Sequence, residues 1–257
     1  MANDLRIEAS PVGPVARPPD PAETVILYLH GDRDLTSTPK AALDLAGRLA
    51  LRAGAAVVCA RHRPTFPAAL EDVQAAYRHC RTLGPVVVAG ERVGAGLAAA
   101  LLIRLRDLGA PLPRCAVLVS ALLDLTLEAP SLMFNAGADP TFDVVELRHH
   151  VSRYTAGTAL TDPLVSPLFA NLHGLPPVQL LAAGTDPLLD DSLAFAARAA
   201  RSGVTVDLRV LQDATTLQHE AVTTMAPFLA GDHSDTPGAP GIITGRGDAE
   251  PLSIPPP

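Results

Sequence analysis

Residues 85–96, Pro-Val-Val-Val-Ala-Gly-Glu-Arg-Val-Gly-Ala-Gly, constrain the fold of this chain more than any other stretch. Val86, Val87, Val88 and Ala89 form an unbroken apolar run bounded by Pro and Gly, the pattern of a strand buried on both faces. Gly90, Gly94 and Gly96 predict a tight turn after it. The Ala- and Leu-rich segment 97–108, closed by Gly109, predicts a helix. A strand, a sharp glycine turn and a helix require a sheet whose next connection returns across one of its faces.

The rest of the chain repeats that alternation. Apolar runs at 25–29, 55–60, 115–120 and 178–183 and the alternating segment 204–211 predict strands. Segments 39–53, 68–83, 190–202 and about 219–229 predict helices. Strands alternating with helices imply an α/β architecture, a mainly parallel sheet wound on both faces. Residues 124–160 are mixed and helical, with little apolar continuity. Residues 1–24 carry Pro11, Pro14, Pro18, Pro19 and Pro21 and are expected to be a flexible arm. Residues 25–230 are expected to form the folded domain, and residues 231–257 a disordered Pro- and Gly-rich tail. Arg246-Gly247-Asp248 in that tail is given no functional weight.

Apolar residues make up 48% of the 257, enough for a sizeable core. A net charge of −7 without a basic block argues against nucleic acid as a partner. No apolar run has membrane-spanning length, and the N-terminus lacks the pattern of a signal peptide. Cys59, Cys80 and Cys115 lie in apolar or helical stretches. They read as buried free thiols of a cytoplasmic protein, not as a disulfide set. No metal site or cofactor is expected.

The turn frame Gly90-Glu91-Arg92-Val93-Gly94 has the form of a nucleophile elbow, Gly-x-Ser-x-Gly, which lifts a serine hydroxyl above a sheet. Here the central residue is Arg92. Asp186 follows one strand end and His219 follows the next, so elbow, acid and histidine occur in the chain order of a hydrolase triad. By spacing alone these two are as readily a turn-starting Asp-Pro and a helix-capping histidine. His149 and His150 read as solvated helix residues.

Several motifs in order resemble the hormone-sensitive-lipase-like esterases of the α/β-hydrolase fold, from about residue 25 to 228. Residues 25–31 resemble the strand entering that family's His-Gly-Gly-Gly oxyanion loop. Phe66-Pro67-Ala68-Ala69-Leu70-Glu71-Asp72-Val73 resembles a segment after its second strand. Gly90–Gly94, with Leu97-Ala98, matches the Gly-Asp-Ser-Ala-Gly elbow. Ser166-Pro167-Leu168 and Pro176-Pro177 resemble the approach to the acid strand, and Asp186-Pro187-Leu188-Leu189-Asp190 its acid motif. The resemblance implies an α/β-hydrolase fold with a reduced cap, an acid role for Asp186 and a base role for His219. It also implies oxyanion-loop positions at His30, Gly31, Asp32, Arg33 and Val93, and places Arg92 where the family has its serine.

Arg92 and the Asp32-Arg33 pair depart from that pattern. Loss of a triad serine costs about a millionfold in rate, and loss of one oxyanion donor about a hundredfold or more. The expectation is a protein without serine-esterase activity that binds a small molecule or a protein partner in the former acyl pocket. The alternatives are an ester hydrolase, or a lyase or isomerase using Asp186–His219 with Arg92 as an anion holder. An Asp32–Arg92 or Asp34–Arg92 ion pair is expected to plug the oxyanion site.

Overall fold

The computed structural model describes residues 5–20, 22–31, 42–138 and 142–231. One eight-stranded sheet runs through them in the order β1-β2-β4-β3-β5-β6-β7-β8. The strands are β1 (Arg6–Ser10), β2 (Gly13–Arg17), β3 (Val25–Leu29), β4 (Ala56–Cys59), β5 (Val86–Glu91), β6 (Ala116–Val119), β7 (Val178–Ala183) and β8 (Val206–Leu211). From β4 to β8 every neighbouring pair is parallel. This is the doubly wound sheet expected from the alternation of strands and helices.

The helices are α1 (Leu43–Ala53), α2 (Ala68–Arg81), α3 (Val93–Asp107), the single turn α4 (Ser131–Phe134), α5 (Val144–Thr155), α6 (Leu189–Arg201) and α7 (Ala214–Ala230). Strand alternation divides the core into two layers. Leu27, Val86, Val88 and Leu118 face the side that also holds α2, α3 and α6. Ile26, Tyr28, Val87, Ala89 and Val117 face α1 and α7. All three cysteines are buried and free, and burial pushes each thiol up to about 12.

Residues 6–17, expected to be part of a flexible arm, instead form an antiparallel hairpin that extends the sheet. β1 pairs with β2, and Val15 and Ala16 of β2 pair with Val58 and Val57 of β4. Ser10 Oγ donates to Gly13 O at 2.6 Å across the turn. Gly13 has a φ of +150° and lies so near Cys59 O that a Cβ would stand 1.9 Å from it. Pro11 sits in the turn, Pro14 on the short outer pairing and Pro18 and Pro19 after the strand, where a missing N–H is tolerated. Residues 232–257, expected to be a tail, lie outside the described residues.

Segment 124–160 contains α4, a 3₁₀ turn at Ala136–Ala138 and α5, consistent with a reduced cap. Asp143 caps α5, its Oδ1 accepting the Val145 and Glu146 amides. His149 is exposed and His150 half-buried on that helix, in edge-to-face contact, and His150 pairs with Glu146 at 3.6 Å.

Candidate functional site

The glycine turn after β5 keeps the strained conformation of an elbow although a large side chain occupies it. Arg92 has φ 52° and ψ −120°, a region that side chains other than glycine rarely enter. The turn is held on both sides. Arg92 N donates to Val119 O at 3.0 Å, and Arg92 O accepts from Ala95 N, Gly96 N and Leu122 N. α3 begins at Val93, four residues earlier than the sequence suggests. Gly94 and Gly96 are helical residues that permit close approach, not parts of a loop. A Cβ on Gly94 would stand 2.0 Å from Leu29 O. Strain of this kind costs about 1–3 kcal/mol. Arg92→Gly is therefore expected to raise stability by about 1 kcal/mol after the entropy cost of glycine, measured as a shift in the guanidinium midpoint. A loss of stability would instead mean that the Arg92 side chain supplies contacts worth more than the strain.

β3 delivers His30 and Gly31 beside the elbow. A Cβ on Gly31 would lie 2.5 Å from Gly94 N and 2.6 Å from Glu91 O, so the chain leaves β3 in contact with the turn. His30 Nδ1 is hydrogen-bonded to Glu91 Oε1. The Tyr28 hydroxyl is buried beside the Glu91 carboxylate without a hydrogen bond of good geometry. Burial, then the charge of Glu91, raises its pKa well above the usual value. On the neighbouring connection the His62 ring donates through Nδ1 to Arg63 O, and burial lowers its pKa. Arg63 grips Asp72 of α2 through Nε and Nη2, both at 2.8 Å, fixing the chain after β4.

Asp186 stands at the end of β7, 7% exposed, with Oδ1 accepting Leu188 N at 2.9 Å. Its loop is tied to the cap. Asn135 Nδ2 donates to Asp186 O at 2.9 Å, Ser131 Oγ donates to Pro187 O at 2.8 Å, and Ser131 N donates to Asp190 Oδ2 at 2.8 Å. Asp191 is 3% exposed, and its Oδ2 accepts both Leu123 N and Asp124 N. Burial raises its pKa to about 7 despite those two donors. The sequence marks Asp190-Asp191 only as acids at a helix start. That one of them turns inward is not legible there.

His219 occupies a different setting from the one expected. α7 starts at Ala214, where Asp213 Oδ1 accepts Thr216 N at 2.8 Å as the cap, so His219 lies in the second turn and is exposed. The Thr216 amide foremost, and His219 least, hold the Asp213 carboxyl below its usual range. Among the described residues no hydrogen bond or ion pair joins His219 to Asp186. Val93, one of the five expected oxyanion-loop positions, is buried as the first residue of α3. Asp32, Arg33 and Asp34 lie outside the described residues, and so does the ion pair expected between Arg92 and those aspartates. Among the described residues no group of three His, Cys, Asp or Glu side chains could hold a metal ion. None of their helices is long and apolar enough to cross a membrane.

Residues 26–219 match the model of a family described as having the α/β-hydrolase fold. An acetyl-hydrolase of Streptomyces hygroscopicus is 39% identical over 189 residues, covering 70% of this chain. The chain spans 63% of that relative's length. A crystal structure of EstE5 soaked with p-nitrophenyl butyrate superposes with a TM-score of 0.82 at 30% identity, covering 88% of this chain and 84% of that one. An esterase from the bacterial hormone-sensitive lipase family gives 0.81 at 31% identity, covering 90% and 86%. With the parallel sheet, the strained turn after β5 and the Asp186 loop after β7, these matches place the chain in the α/β-hydrolase fold family as a hormone-sensitive-lipase-like member.

Proposed function

We propose that this chain binds a small molecule or a protein partner at the elbow and carries no serine-esterase turnover. The observation that supports the reading is Arg92 at the strained turn after β5, in a Gly-x-Arg-x-Gly frame that resembles a Gly-x-Ser-x-Gly elbow. A guanidinium stays protonated at all working pH and has no lone pair with which to attack a carbonyl. The exposed position of His219, unbonded to Asp186, agrees with this reading, because a triad base needs its carboxylate to fix the tautomer. The relatives named acetyl-hydrolase and esterase motivate the second reading, an ester hydrolase that uses Asp186 and His219.

One assay separates the two. The purified protein is expected to release p-nitrophenol from short acyl esters no faster than the buffer does. A kcat/KM of about 10⁴ M⁻¹s⁻¹ or more, abolished by His219→Ala, would establish the second reading instead.

A further inference from the structure

We propose that the hairpin carries a second binding site, a cleft in which Arg6 and Arg17 take the carboxylate of a small organic acid. The cleft has a volume of about 200 Å³ and is lined by Arg6, Arg17, Pro18, Pro19, Asp20 and Ala22. It lies away from the elbow. β2 runs antiparallel to β4, so Arg17 ends β2 on the side where the parallel strands begin, and Ala22 comes just before β3. The elbow stands at the carboxyl ends of those strands. The proposal goes beyond binding at the elbow and does not rest on it.

Two guanidinium groups share one place in the fold. Arg6 and Arg17 are direct partners in the ladder of β1 with β2, so their side chains emerge on the same face. Like charges directly opposite one another destabilise a strand pair. The chain answers only part of that charge. Arg17 Nε donates to Glu8 Oε2 at 2.8 Å. Among the described residues Arg6 makes no ion pair or side-chain hydrogen bond, and Arg17 uses Nε alone. Asp20 lines the same cleft without pairing with either arginine. Glu8 and Asp20 balance the formal charge, yet the five donors of Arg6 and the Nη groups of Arg17 stay free for a ligand.

The lining sets the ligand class. A guanidinium fork matches a carboxylate through two parallel N–H···O bonds. Pro18, Pro19 and Ala22 supply apolar walls for a short alkyl chain. Asp20 adds a negative charge at the same cleft, which works against a dianion and leaves a singly charged acid as the better fit.

Butyrate is the probe, titrated against the full chain at constant ionic strength and followed by backbone amide shifts. Binding is expected with a Kd of about 1 mM, with the amides of Arg17, Asp20 and Ala22 moving most. Arg6→Gln should weaken binding at least about tenfold and leave the ligand-free melting temperature unchanged or raised, because Arg17 loses its like-charged neighbour. Ala22→Leu keeps both guanidinium groups but fills the cleft, and should weaken butyrate to a similar degree. Asp20→Asn should tighten it about threefold. Unchanged binding in Arg6→Gln would overturn the proposal, and phosphate binding as tightly as butyrate would overturn the ligand class. Butyrate binding kept in Arg6→Gln but lost in Arg92→Gln would place the anion at the elbow and also overturn it.

Discussion

Gly94→Ala is expected to destabilise the protein by about 3 kcal/mol or more, or to prevent it from accumulating in folded form. The added Cβ would stand 2.0 Å from Leu29 O, 2.7 Å from Leu29 C and 3.0 Å from His30 C. All three are main-chain atoms at the end of a central strand, so no side chain can rotate aside. α3 would have to lift from β3, and the lift would pull on the Arg92 turn bonded to Val119 and Leu122. Gly109 supplies the internal comparison. Its φ is +60°, but nothing lies within 4 Å of its Cβ position, so Gly109→Ala should cost only about 1 kcal/mol. Guanidinium unfolding of both variants measures the difference. Equal, small losses would mean that α3 is not seated on β3 as closely as described.

Asp191→Asn is expected to flatten the dependence of stability on pH between about 4 and 7, and to raise stability above that range. Burial raises the Asp191 carboxyl from 3.8 to about 7 in the folded state. The folded protein therefore holds one more proton than the unfolded chain between those values. Its contribution is fully present below the unfolded pKa and is lost as pH rises through the folded one. The shift corresponds to at most about 4 kcal/mol of wild-type stability lost across the window. Asparagine is neutral throughout and keeps an oxygen to accept the Leu123 and Asp124 amides, which both bond to the same carboxylate oxygen. Denaturant midpoints at a series of pH values test this. Parallel curves for the two proteins would show that Asp191 does not carry the proton.

The parallel strands were legible because a strand covered on both faces needs a continuous apolar run, which β3, β5 and β7 have. Their ends were harder to place. β5 continues through Gly90 and Glu91 because the ladder to β6 extends to Val119, although the apolar signal stops at Ala89. Gly94 and Gly96 suggested a loop because glycine favours turns. The structure uses their missing side chains for helix–strand contact instead. Asp213 capped α7 five residues before the expected start and carried His219 into a helix. The turn position of Arg92 after β5 and the loop position of Asp186 after β7 could be read from motifs alone. The His30–Glu91 bond could not, because it needs the knowledge that β3 and β5 are neighbours, and the inward turn of Asp191 depends on which amides lie above it.

The hairpin of β1 and β2 also bears on how the protein meets its own copies. Without it, the edge of the sheet would be β4, whose Ala-Val-Val-Cys sequence is buried along its whole length. Such an apolar strand with open amides and carbonyls is a template for edge-to-edge assembly. The hairpin moves the boundary outward to β1, an exposed strand carrying Arg6 and Glu8, with Glu8 paired to Arg17 at 2.8 Å. At the far side β8 presents Asp207 and Arg209, bridged at 3.2 Å. Among the described residues each border of the sheet thus ends in alternating charge. A second molecule approaching to add a strand would have to strip water from those ions, which disfavours pairing at these edges.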